Sequence, residues 1–208
     1  MKNLCLILFG LIALLRADEA PLPHYLLVAP ASMDALPVER VQGWMQANLH
    51  YPVQVLRRDD WEGESAEAQA EALLPLPTDA VIVTVVLSAR LDEGKHAVIL
   101  PDAKIGFVNV PLLLEDSTAE KELRRLDRQA MRIVGFTLGI PPQPMPFCAL
   151  APYRSLEELD RMGRGFSPPA MALYRSQLVK HGIPLSEEAE KLLPDVRVNL
   201  PIPPQPEN

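Results

Sequence analysis

The sequence predicts an α/β domain: a mostly parallel, twisted sheet, one long helix and a small irregular C-terminal subdomain. Three observations predict it. Short apolar runs alternate with helix-period segments through the first half of the chain, the pattern of β-α-β units. One long segment then carries an unbroken helical stripe of apolar residues. Beyond it come prolines, turn signals and short helices, with no strong strand. With 208 residues, 48% of them hydrophobic, the chain can bury one sizeable core.

The elements follow in order. "MKNLCLILFGLIALLRADEAP" pairs Lys2 with an apolar run from Leu4 to Leu15. A membrane span takes roughly 20 residues, so this run reads as a secretory leader, residues 1–17, cut after Ala17. An uncleaved anchor is the alternative. Cleavage leaves one cysteine, Cys148, which Phe147, Ala149 and Leu150 flank as a buried residue would be. The main domain is expected over residues 24–193.

"HYLLVAP" is a short buried strand ending at a proline. In "PVERVQGWMQANL", Val38, Val41, Met45 and Leu49 recur at helical spacing, and Pro37 suits a first turn. "YPVQVLRR" returns as a strand, and "SAEAQAEALL" as a short helix. "DAVIVTVVLSAR" is β-branched and continuously apolar, which predicts a strand covered on both faces. This order implies right-handed crossovers and parallel pairing. "HAVILP" and "KIGFVNVPLLL" read as two further strands at the sheet edge.

The long helix is "DSTAEKELRRLDRQAMRIVGFTLG". Ser117 and Glu120 have capping-box spacing and place its start. Leu123, Leu126, Ala130, Ile133, Val134 and Leu138 form its stripe. Gly139 ends it, and Pro141 and Pro142 forbid continuation. A helix from about Pro169 to Lys180 and a short one in "LSEEAEKLL" follow. Residues 194–208 are proline-rich and read as a flexible tail.

"RQAMRIVGFTLGIPPQPMPFCAL" has the frame of a zinc-peptidase motif. In H-E-x-x-H enzymes two histidines one helical turn apart face one metal, and the glutamate acts as general base. Metzincins add a glycine turn and a third histidine. The stretch resembles the archaemetzincin family, whose pattern continues with a cysteine, a C-x-M element and a late C-x-x-C that hold a second, structural zinc. Gly139 falls on the turn glycine, Cys148-Ala149-Leu150 on C-x-M, and "SLEELDRMGRGFSPPA" on the approach to the last cysteine pair. The resemblance spans about Tyr25 to Leu178 and implies a zincin-like fold of metzincin type.

The ligand positions have lost their chemistry. Arg132 and Phe136 stand on the first two histidines, Ile133 on the glutamate and Pro142 on the third histidine. Gln143, Ser167 and Ala170 stand on three structural-zinc cysteines, and Cys148 survives alone. An arginine has no lone pair to give and repels a dication. The four histidines show no ligand spacing. The resemblance therefore implies an inactive pseudopeptidase with no resident cofactor.

Its former cleft, with Arg132, Phe136, Pro142 and Cys148 as candidate positions, would bind a peptide or protein, the guanidinium gripping a carboxylate. The plain alternative has Arg132 paired with an acid or in solvent and Phe136 filling the space of the metal. Two other readings are a peptidase with relocated ligands and an interaction protein acting through the proline-rich tail. A net charge of −7 argues against nucleic acid. After cleavage no membrane span is expected, and nothing in the sequence specifies an oligomeric state.

Overall fold

The computed structural model describes residues 22–59, 65–73, 80–88, 91, 94–115 and 117–187. The leader, the proline-rich tail and most of the expected "LSEEAEKLL" helix lie outside them. Five strands, β1 (His24–Ala29), β2 (Val53–Arg57), β3 (Val81–Ser88), β4 (Ala97–Leu100) and β5 (Ile105–Asn109), form one sheet in the order β2-β1-β3-β5-β4. β1 pairs parallel with β2 and β3, and β3 pairs parallel with β5. β4 alone runs antiparallel, against β5.

Alternation along the strands divides the core. Tyr25, Leu27 and Ala29 of β1 face one cluster, and Leu26 and Val28 the other. Helix α1 (Ala35–Leu49) covers the first face with Val38, Val41, Met45 and Leu49, at the spacing read from the sequence. Helix α2 (Ala66–Leu73) covers the second with Ala66, Ala70 and Leu73. β3 is buried on both faces from Ile82 to Ser88, as its continuous apolar run predicts.

The expectation of two edge strands is half right. β4 is at the edge, but β5 lies inside the sheet between β3 and β4. The run "KIGFVNVPLLL" also divides: β5 ends at Asn109, and Val110–Leu114 forms the short helix α3 with a proline in its first turn. Pro111 has no amide to give a ladder but fits a helix start.

The long helix, α4, runs unbroken over Ala119–Thr137. Its cap is Thr118, whose hydroxyl accepts the Lys121 amide, and not the expected Ser117. Ser117 instead donates to Glu122 Oε1 at 2.8 Å. At the other end Gly139, with φ of 76°, turns the chain. The amides of Gly139 and Ile140 donate to the carbonyls of Phe136 and Gly135, the Schellman pair that a positive-φ residue permits.

Past this turn the described residues carry two helices, α5 (Leu156–Arg161) and α6 (Pro168–Lys180), so the irregular parts between them need side-chain ties. Arginines on α4 supply them. Arg125 grips the Asp160 carboxylate with Nε and Nη2, each at 2.8 Å, and sends Nη1 to the carbonyls of Leu113 and Glu115. Arg128 donates to the carbonyls of Asp160 and Met162. The Tyr25 and Tyr174 hydroxyls meet at 2.7 Å, joining β1 to α6.

A buried acid ties α4 to α1. Asp127 is fully buried. Its Oδ2 accepts from Arg164 Nη1 at 3.3 Å and lies 3.6 Å from Arg40 Nε, while Oδ1 has no donor. Arg164 in turn stacks 4.0 Å from the Trp44 ring centroid. Burial outweighs the two guanidinia and pushes the carboxyl up to about 6. Below pH ~4 the group is neutral folded and unfolded. As pH rises, the unfolded chain ionises first, so this contribution is lost through pH 6. The Asp127→Asn variant removes that loss. Wild type should lose about 3 kcal/mol relative to the variant between pH 4 and pH 7, measured by urea unfolding at both values. Asp160, held below the usual carboxylate range by Arg125, has the opposite dependence but is common to both chains and cancels.

Candidate functional site

Arg132 and Phe136 lie one turn apart on α4, beside a cleft of about 350 Å³ between that helix and β4. Among the described residues Arg132 pairs with no acid, and it does not lie free in solvent. Its Nη1 donates to the Ala149 and Ala151 carbonyls at 2.8 and 2.6 Å. Its guanidinium carbon sits 5.0 Å from the Phe136 ring centroid and 4.8 Å from that of Tyr153, within cation–π reach of both. Burial draws its pKa below the ordinary arginine value, partly offset by Tyr153 and Cys148, yet a guanidinium stays charged at neutral pH. Arg132 is thus the third of the arginines, after Arg125 and Arg128, that α4 presents to the subdomain.

Two residues that sequence reasoning did not single out complete this wall. Tyr153 follows the Ala149–Ala151 turn, and its hydroxyl accepts from Gln129 Nε2 at 2.6 Å. It also meets His96 Nδ1 at 3.1 Å, and the two rings stack with planes 8° apart. Burial lowers the His96 pKa, Arg125 adds to this, and Glu115 opposes it. The imidazole is therefore neutral at pH 7, and Nδ1 can accept the tyrosine proton. Burial raises the Tyr153 pKa. His96 and Tyr153 are 57 residues apart, so no local motif announces the pair.

The remaining sequence candidates lie elsewhere. Pro142 is exposed and does not line the cleft. Cys148 is fully buried behind it, where its sulfur accepts the amides of Leu150 and Ser167 at 3.5 and 3.4 Å. Gln143, Ser167 and Ala170 are buried too, and the Ser167 hydroxyl has no partner. Ile133 points away from the cleft into the sheet: a Cβ added at Gly106 of β5 would stand 2.4 Å from its Cγ2. These residues do not fit a zinc ion. Arg132 brings a positive charge, Phe136 and Pro142 no donor atom, and Ile133 no base. Among the described residues no group of three or more His, Cys, Asp or Glu could hold a metal, and no helix is long and apolar enough to cross a membrane.

No family model matches the chain, and no curated protein matches it either. Solved structures do. An archaemetzincin from Methanopyrus kandleri superposes with a TM-score of 0.62 at 18% identity, over 78% of this chain and 99% of that one. A zinc-dependent peptidase from Methanocorpusculum labreanum gives 0.59 at 17% identity, over 74% and 99%. An archaemetzincin from Archaeoglobus fulgidus, in complex with malonate, gives 0.55 at 19% identity, over 71% and 98%. The chain has the archaemetzincin fold, with a mostly parallel five-stranded sheet and no metal site among the described residues.

Proposed function

We propose that the chain is an exported, catalytically inactive archaemetzincin-like pseudopeptidase that binds an extended peptide in the cleft between α4 and β4. The observation that carries this reading is Arg132. A guanidinium fixed to the carbonyls of Ala149 and Ala151 stands where the first metal-binding histidine is expected. No step of metal-assisted hydrolysis has a donor or a base at these positions.

The cleft persists without the chemistry. Among the described residues its wall β4 pairs with β5 alone, which leaves its outer side without a partner strand beside the cleft, and Ala97 and Ile99 of that strand line it. An unpaired edge can accept a peptide as an added strand, with backbone bonds giving affinity and a pocket giving choice. The structural neighbours include a zinc-dependent peptidase and an archaemetzincin complexed with malonate. They support a cleft of peptidase ancestry. Export rests on the leader, and a mature chain beginning near Asp18 is its expected mark by intact mass.

The test is elemental analysis of protein purified without chelator, with a broad peptide-cleavage screen. No stoichiometric zinc and no cleavage are expected. Cleavage abolished by a chelator and restored by zinc would replace this reading with a peptidase using relocated ligands. Peptide binding unaffected by cleft substitutions but lost on deleting residues 194–208 would move the interaction to the tail.

A further inference from the structure

Two cations, Arg132 and Arg154, border the cleft, and among the described residues no aspartate or glutamate lines it, in a chain whose net charge is −7. Resting on the peptide-binding reading above, we propose that the cleft is built for a carboxylate: the free C-terminus of the bound peptide or an acidic side chain within it.

Arg132 is the central group. Only Nη1 is committed, to the two backbone carbonyls. Among the described residues Nε and Nη2 have no acceptor, so one edge of the fork is left for a ligand. Two carbonyls and two rings already hold the group, so little further side-chain freedom is lost when an anion arrives. Partial burial strengthens the attraction relative to water. Phe136 and Ile99 supply apolar surface for the neighbouring part of a peptide.

Two acids among the described residues act near the cleft without lining it. Glu158 Oε2 accepts the Arg154 backbone amide at 2.7 Å, and Glu115 acts on His96. Neither lines the space, though both weaken its positive potential at the rim. Arg154 is exposed and adds to the field without being part of the packed wall.

The experiment is fluorescence anisotropy with N-terminally labelled hexapeptides of one apolar-rich sequence. One has a free C-terminus, one a C-terminal amide, and one an amide with a single internal glutamate. At low salt at least one acidic peptide should bind about ten-fold tighter than the neutral amide, with the gap narrowing in high salt. Preference for the free acid identifies a chain end, and preference for the internal glutamate identifies a side chain. Arg132→Gln should abolish the preference. Arg154→Gln, at an exposed position that folding does not require, should reduce it about three-fold.

Equal binding of all three peptides overturns the carboxylate proposal and leaves peptide binding standing. So does a preference that both substitutions leave intact. Binding of none of them removes the peptide-binding reading, and this proposal with it.

Discussion

The Arg132→Ala variant should be less stable than wild type by about 3 kcal/mol, read from urea unfolding at pH 7. Its loss leaves the carbonyls of Ala149 and Ala151, both buried, without the donor they now share. A buried acceptor left unpaired costs about 1–3 kcal/mol. Two cation–π contacts, each worth about 0.5–1 kcal/mol, go as well. Against this stands the desolvation the cation no longer suffers, which keeps the total near the lower part of the sum. Arg132→Lys should fall between the two, since an ammonium keeps the charge but not the flat fork between two rings. A loss below about 0.5 kcal/mol, the ordinary size of a surface change, would mean that these contacts do not form.

The sequence made the sheet and the long helix legible because both are written in local periodicity. Val38, Val41, Met45 and Leu49 sit at helical spacing, and all four are buried as that spacing requires. Cys148 is buried together with Ala149 and Leu150, whereas Phe147, the third apolar neighbour, is exposed. What failed locally failed by one competing signal each. Ser117 and Glu120 match a capping box, but Thr118 is the next residue and can cap as well. "KIGFVNVPLLL" is apolar throughout, so its change from strand to helix is marked only by Pro111.

The candidate site was less legible for a physical reason. What Arg132 does depends on carbonyls 17 and 19 residues downstream, and backbone acceptors leave no trace in residue type. The charged alternative, an acid partner, is the one that sequence reasoning can picture. Yet α4 uses Arg128 in the same way, on carbonyls more than thirty residues away. Of these three arginines, Arg125 is the one that pairs with an acid among the described residues, Asp160, as a reading by charge would look for. Guanidinium groups fasten the C-terminal subdomain to α4.

Introducing the metzincin ligand pattern, Arg132→His with Ile133→Glu, Phe136→His and Pro142→His, should give neither a zinc site nor a stable chain. The glutamate is the first obstacle. Ile133 is fully buried in the hydrophobic core and lies against Gly106 of β5. A carboxylate there stays ionised only at a cost of several kcal/mol; protonated instead, it is no base. The third histidine is the second obstacle, because position 142 is exposed and outside the cleft lining. Losing Arg132 adds the unpaired carbonyls, so the four changes together should cost more than about 4 kcal/mol. A companion variant that keeps Ile133 and introduces only the three histidines separates the two obstacles. It should fold, with the stability of Arg132→Ala, and still bind zinc weakly for want of groups to orient the imidazoles. Equilibrium dialysis with elemental analysis, beside urea unfolding, measures both. One tightly held zinc per folded chain in either variant would show that this fold still offers ligand geometry at these positions, and that Arg132 has not reshaped the site around itself.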